Sequence, residues 1–174
     1  MIEIVSIFIT LALLAGVFFL STFFIATTFS HGAPFIVTRA GTVKKILSLA
    51  QIMPETNIVD LGSGDGRLLF HFAKAGAKSV HGYEINPLLV WKAKKKIARL
   101  NLEKTIEVFE RNFWDIDMSR YEIVYVFGIS HIMRQLENKL KRELKPGTKV
   151  ISQGFQFPSW KMRKKEGGVF LYII

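Results

Sequence analysis

At 174 residues and 19.8 kDa the chain has room for one ordinary domain, and 49 % hydrophobic against 22 % charged residues excludes a disordered chain. With no cysteine it has no disulfide, no thiolate nucleophile and no thiolate zinc site. The net charge of +10 is unevenly spread: residues 1–38 hold Glu3 and no Lys or Arg, so all 24 basic side chains fall in the remainder. Such a split predicts two pieces with different solvents.

No residue from 4 to 29 is ionisable, and its only polar side chains are Ser and Thr. As a helix this stretch would reach about 39 Å, more than the ~30 Å hydrocarbon layer of a bilayer. A cleaved signal peptide would want a basic start and a shorter apolar run, whereas this chain opens Met1-Ile2-Glu3. The reading is a retained transmembrane anchor over residues 1–30. Arg39, Lys44 and Lys45 follow the span, so the positive-inside rule leaves the C-terminal part in the cytoplasm. The expected location is thus a single-pass membrane protein, in the plasma membrane of a prokaryote or facing the matrix from the mitochondrial inner membrane of a eukaryote.

Beyond residue 40 the hydrophobic period switches repeatedly. Residues 42–52 read as a helix with Val43, Ile46, Leu47 and Ala50 inward, stopped near Pro54. Residues 57–61 form an apolar strand entering a glycine-rich turn, 67–75 a helix and 79–84 a strand. Asn86-Pro87 opens a helix that runs to about Leu100, with proline tolerated in its first turn. Strands follow at 106–109 and 122–127. Ile132, Met133, Leu136, Leu140 and Leu144 make one apolar stripe over 130–144, and strands at 149–155 and 169–174 finish the chain. This alternation predicts an α/β fold, a Rossmann-like parallel sheet with helices on both faces. The expected organisation is an anchor over 1–30, a connector with lid and helix over 31–56, and a ligand-binding domain over 57–174.

The chemistry-bearing feature is Asp60-Leu61-Gly62-Ser63-Gly64-Asp65-Gly66-Arg67, placed where an open α/β sheet binds ligands. Glycines there let the backbone turn sharply and approach a ligand. Glu84 ends the next strand, in the place that accepts ribose hydroxyls. Arg67 occupies the third glycine of a dinucleotide fingerprint, and the Gly-Lys-Ser/Thr of a phosphate loop is absent.

Asp-x-Gly-x-Gly-x-Gly with an acid after the second strand resembles the class I S-adenosylmethionine-dependent methyltransferases. The resemblance narrows with Gly32-Ala33-Pro34-Phe35-Ile36-Val37-Thr38, Gly82-Tyr83-Glu84-Ile85-Asn86-Pro87-Leu88-Leu89-Val90-Trp91, Phe113-Trp114, Phe127-Gly128-Ile129, Leu136-Glu137-Asn138-Lys139-Leu140 and Phe155-Gln156-Phe157-Pro158-Ser159-Trp160. In this order behind one apolar span, the series is similar to the membrane-anchored protein-lysine methyltransferases. Their mitochondrial members modify the ATP synthase c-subunit and the adenine nucleotide translocase, and the expectation here is a prokaryotic relative. The resemblance implies S-adenosyl-L-methionine as cofactor, with Gly62, Gly64 and Gly66 beneath it, Asp60 ordering its amino-acid end and Glu84 on the ribose. It further implies Asn112 at the adenine amino group, Asn86 and Phe113 beside the cofactor, and Pro34, Phe35 and Thr38 as a lid. Gln156 and Ser152-Gln153-Gly154 depart from the more basic family form, and Ser130-His131 replaces the usual stretch before Met133; both put the particular substrate in question.

The implied function is a methyltransferase, foremost a protein-lysine N-methyltransferase acting on a lysine of a membrane protein near the bilayer surface. Two alternatives stand beside it: a methyltransferase of a lipid or small membrane-associated molecule, and a non-catalytic membrane-tethered cofactor-binding protein. No general base stands out. His131, Phe157 and Trp160 are the candidates for facing the acceptor, with the alternative that His131 meets solvent and the two aromatics pack the sheet edge. The Asn/Asp-Pro-Pro-Tyr/Phe motif of enzymes acting on amide or adenine nitrogens is missing, which counts against a nucleic-acid substrate. The basic run from Trp91 to Arg99 reads first as a solvated helix face; as a functional surface beside a membrane anchor it fits anionic lipid headgroups better than DNA or RNA. His31, His71 and His81 have no metal-ligand spacing, and no metal is expected.

Overall fold

The computed structural model describes residues 2–30 and 38–174 and divides into two compact units, Met1–Pro34 and Phe35–Ile174. The lid residues Pro34 and Phe35 therefore lie outside the described residues.

The described residues of the first unit form one helix, α1 (Ile2–Ser30), 29 residues long. Its hydroxyls turn inward onto its own backbone: Thr10 Oγ1 donates to Ser6 O at 2.9 Å, Ser21 Oγ to Phe18 O at 2.8 Å, and Thr22 Oγ1 to Phe18 O and Phe19 O at 2.9 Å. Groups bonded in this way make no demand on water. Side chains of α1 are described at residues 6, 7 and 9–22, and each of them is exposed. Among the described residues no helix is long and apolar enough to cross a membrane. The anchor read from residues 4–29 accordingly rests on the sequence.

The second unit is built on a seven-stranded sheet. Its elements are α2 (Ala40–Ala50), β1 (Asn57–Leu61), α3 (Arg67–Lys74), β2 (Ser79–Glu84), α4 (Pro87–Arg99), β3 (Ile106–Glu110), β4 (Ile123–Phe127), α5 (Met133–Glu143), β5 (Lys149–Gln153), β6 (Lys164–Glu166) and β7 (Val169–Ile173). Strand order is β3-β2-β1-β4-β5-β7-β6. The first five strands of that order pair in parallel, as the alternation of strand and helix requires.

The last two strands of that order correct the expectation of a wholly parallel sheet: β7 runs antiparallel to β5, and β6, at the edge, antiparallel to β7. The cause lies after β5, where residues 154–163 return without a crossover helix. Gly167-Gly168 then closes a two-residue hairpin, Gly167 having φ +62°. A three-residue Lys-Lys-Glu strand has no apolar alternation, so no pattern marked β6 in the sequence. Two short 3-10 turns, Phe113–Asp115 and Ser130–Ile132, were not expected either; the second takes up the start of the helix read over 130–144.

Adjacent strand residues point to opposite layers. Ile58, Val80, Ile123 and Ile151 pack with Ile46, Leu69, Phe72, Val90 and Ala93 of α2, α3 and α4. Val59, Leu61, Val124 and Val126 pack with Met133, Leu136 and Leu140 of α5. Burial on both faces explains why β1 and β4 read as unbroken apolar runs.

Candidate active site

The site forms at the C-terminal ends of β1, β2, β4 and β5. Beyond Leu61 the chain adopts left-handed backbone at Gly62 (φ +82°), Gly64 (φ +57°) and Gly66 (φ +77°). This loop hangs from β2, with Gly62 N and Ser63 N both donating to Tyr83 O at 2.8 and 3.1 Å. Glu84 fastens it from the side. Its Oε2 accepts from Gly64 N at 2.9 Å, while Oε1 accepts from Ile85 N and Asn86 N, each at 2.9 Å. One carboxylate thus ties the glycine loop to the start of α4.

Beneath the loop Asp60 is only 3 % exposed. Burial, and then the neighbouring Glu84 charge, pushes its carboxyl up to about 8. Ser63 Oγ is buried without a hydrogen-bond partner among the described residues. A buried carboxyl that ionises only at a cost and an unpartnered hydroxyl fit a ligand that brings positive charge and polar atoms. Among the described residues a Cβ at Gly62 would meet nothing within 4 Å, which leaves room for a ligand beside the loop. These features match S-adenosylmethionine, with its sulfonium, ammonium and ribose hydroxyls.

Two glycines give opposite expectations. A Cβ at Gly82 would come within 2.6 Å of Ser63 Oγ and 2.8 Å of Leu69 Cδ1. Gly82→Ala should therefore displace the loop and cost about 1–3 kcal/mol of stability. Gly62→Ala meets only backbone strain, about 1–2 kcal/mol, but its methyl enters the open space and should weaken cofactor binding more than its stability loss implies. Thermal melts paired with S-adenosylhomocysteine titrations check both.

The remaining expected residues take varied places. Asn86 Oδ1 caps α4 through Leu88 N at 3.0 Å and Leu89 N at 3.4 Å. Asn112 Oδ1 likewise caps the 3-10 turn at Trp114 N, 3.1 Å, and Phe113 lies half-buried against Trp114 with ring centroids 4.9 Å apart. Both amide oxygens serve a local turn, a use their Asx positions before helical turns also signal. His131 is exposed on its 3-10 turn. Phe157 is buried against Trp160 and Tyr172, at 4.5 and 5.2 Å between centroids, so its ring belongs to the core; Trp160 remains half-buried.

Tyr125 escaped the sequence reading, and Gln153 and Glu137 entered it only as members of motifs. Tyr125 on β4 donates its hydroxyl to Gln153 Oε1 on β5 at 2.7 Å, and Thr38 Oγ1 reaches the same oxygen at 3.4 Å. Burial, and then the Asp60 carboxylate, holds the Tyr125 hydroxyl well above its ordinary range. This puts Thr38, expected at the lid, over the end of β5. Glu137 of α5 accepts from Ser159 N at 3.0 Å and from Ser159 Oγ, while Phe157 N donates to the Tyr172 hydroxyl at 3.2 Å. The Phe157–Trp160 segment is thereby pinned to α5 and β7. A glutamate inside the apolar stripe of α5 was the available signal. Among the described residues no cluster of His, Asp and Glu is arranged to hold a metal ion.

Comparison with known proteins gives the same reading. Residues 60–164 match the ANTKMT methyltransferase domain family. The chain is 38 % identical over 128 residues to the ATP synthase c-subunit lysine N-methyltransferase of Xenopus laevis, covering 73 % of this chain and 55 % of that protein. It is 31 % identical over 150 residues to a protein-lysine N-methyltransferase of Saccharolobus islandicus (strain REY15A), covering 81 % and 93 % respectively. It also superposes, with a TM-score of 0.73 and 29 % identity, on an RNA methyltransferase from Salinibacter ruber in complex with S-adenosyl-L-homocysteine, covering 79 % of this chain and 92 % of that one. The chain spans about half the length of the curated vertebrate relatives it matches. With more than half of its residues matched and a cofactor cradle of the required chemistry, the chain belongs to the ANTKMT methyltransferase domain family of S-adenosylmethionine-dependent enzymes.

Proposed function

We propose that this protein is a membrane-anchored protein-lysine N-methyltransferase whose acceptor is a lysine of a membrane protein near the bilayer surface. The cradle of Asp60, Glu84 and the glycine loop carries the transferase reading. Lysine as acceptor is supported by the Saccharolobus islandicus relative, matched over nearly its whole length. Residues 4–29, uncharged throughout, support the anchor, and Arg39, Lys44 and Lys45 support a cytoplasmic or matrix-side domain.

S-adenosylmethionine supplies the electrophilic methyl group of a sulfonium, transferred in line to the lysine nitrogen. The chain's part is to align the two and keep the amine unprotonated. Glu84 would hold the ribose hydroxyls, and Asp60, once ionised, would face the cationic end. Asn112 would meet the adenine amino group with the capacity its cap leaves free. Gln153 and Tyr125 would hold Thr38 over the donor end. Trp160, half-buried beside the pinned Phe157–Trp160 segment, would offer an apolar wall to a lysine side chain and exclude water from its amine.

The test uses full-length protein, native membranes and S-adenosylmethionine tritiated in its methyl group, with Gly64→Arg as the blank. Label is divided among precipitated protein, organic phase and nucleic acid. Counts in a protein band that depend on Gly64 and map to lysine are expected. Counts confined to the organic phase would replace lysine by a lipid or quinone acceptor, and counts in nucleic acid would move the reading towards the Salinibacter ruber enzyme.

A further inference from the structure

The face formed by α3 and α4 carries charge that the cofactor cradle does not use. Arg67 and Lys74 on α3, with Lys92, Lys94, Lys95, Lys96 and Arg99 on α4, project from two helices that contain no acidic residue. Between the helices lies a groove of about 510 Å³ lined by Arg67, Phe70, His71, Lys74, Lys96 and Arg99. Asp65, which lines the groove as well, is paired to Arg67 at 2.7 Å. Lys96 lies over the Phe70 ring at 4.4 Å. Burial, then the charges of Lys74 and Lys96, depress the His71 imidazole below its ordinary range.

Apolar side chains stand among these cations. Val90, Ala93 and Ile97 of α4 face the sheet, while Leu88, Trp91, Lys92, Lys95 and Arg99 form one outward stripe at spacings of three and four. Leu88 and Trp91 are 56 % and 57 % exposed, and Leu100 just beyond is 44 % exposed. Lys95 sits 5.1 Å from the Trp91 ring centroid. A tryptophan and leucines flanked by lysines suit the boundary between headgroups and acyl chains, where the ring is anchored and the lysine stems reach for phosphates. A nucleic-acid strand would use the charges but offer nothing to Leu88 and Leu100.

We propose that the exposed α3–α4 face is a docking surface for an anionic bilayer, with the groove between the helices receiving a lipid phosphate. Its cations, at about 1 kcal/mol each near an anionic leaflet, can orient the domain as well as hold it. A membrane anchor supplies proximity alone, whereas this face sets which side of the domain meets the lipid. The inference rests on the membrane reading above for a bilayer's being at hand.

Full-length protein is placed in nanodiscs of phosphatidylcholine with and without phosphatidylglycerol, each carrying headgroup-spin-labelled lipid. Quenching at Trp91 is read as the difference between wild type and Trp91→Phe. On the anionic discs it should be at least about twofold stronger, and molar salt, which shortens the Debye length to about 3 Å, should abolish the excess. The combined variant Lys92→Glu, Lys95→Glu, Arg99→Glu should lose the excess while keeping its melting temperature and S-adenosylhomocysteine affinity. Equal quenching on both discs, or none on either, overturns the proposal. So does protection of Trp91 by duplex RNA in the absence of any anionic-lipid effect. Insertion through residues 4–29 is read separately by resistance to alkaline extraction. If the chain is extracted, the anchor reading fails, and the same Trp91 quenching with added anionic vesicles still decides the docking face.

Discussion

Glu84→Ala is expected to weaken cofactor binding by on the order of 10²–10⁴-fold. That range corresponds to losing two hydrogen bonds to a charged acceptor, each worth about 1.5–3 kcal/mol. In the free protein the same carboxylate accepts from Gly64 N, Ile85 N and Asn86 N, so the substitution also unties the glycine loop from the start of α4. Glu84 is half-buried, and water can replace part of what is lost; a stability decrease of about 1–3 kcal/mol is expected, well short of unfolding. Glu84→Gln keeps the shape and one acceptor oxygen and should fall between wild type and alanine. Isothermal titration with S-adenosylhomocysteine alongside thermal melts separates the two effects. An affinity within about threefold of wild type would remove Glu84 from the ribose site, because that difference is under 1 kcal/mol.

The parts of this molecule that were legible in the sequence are those in which one local rule acts alone. Strands β1 and β2 were read to the residue because apolar runs ended at a glycine turn and at Glu84-Ile85-Asn86-Pro87. Helix α4 was bounded by Asn86 and Pro87 for the same reason. The glycine loop was visible because left-handed backbone at Gly62 and Gly66 has few alternatives to glycine. Where several neighbours share in a residue's placement, the sequence was silent. Lys164–Glu166 becomes a strand only because Val169–Ile173 already lies against β5. Phe157 was a candidate for facing the acceptor, yet its place in the core depends on Tyr172 and on Ser159 being held by Glu137. Tyr125 and Gln153 lie twenty-eight residues apart on neighbouring strands, and only the parallel register of β4 and β5 brings them together. Asn86 and Asn112 show a further ambiguity: an asparagine before a helical turn satisfies the turn and a ligand with the same oxygen.

Asp60 links fold stability to function through protons. Burial first, and the Glu84 charge second, raise its folded-state pKa from 3.8 to about 8. In the unfolded chain the group is ionised above pH 4, whereas in the cofactor-free fold it keeps its proton to about pH 8. Its stability contribution is therefore fully present below the unfolded value and is lost as pH rises through the folded one, at up to about 1.4 kcal/mol per pH unit. Asp60→Asn abolishes that slope. It should leave stability near wild type at pH 4 and exceed it by a few kcal/mol at pH 8, as chemical denaturation at the two pH values will show. The cofactor reverses the balance, since its cationic sulfonium favours the ionised carboxylate. Binding at pH 7 should then release close to one proton, and affinity should rise by up to about tenfold per pH unit until pH 8 before levelling. Calorimetry in two buffers of different ionisation enthalpy counts that proton directly. Asp60→Asn should release none and should lose methyl transfer while gaining stability, because a carboxyl kept neutral at a cost in the empty fold is the charge that the bound cofactor needs. Equal proton release from wild type and Asp60→Asn would show that the cationic end of the cofactor is met elsewhere.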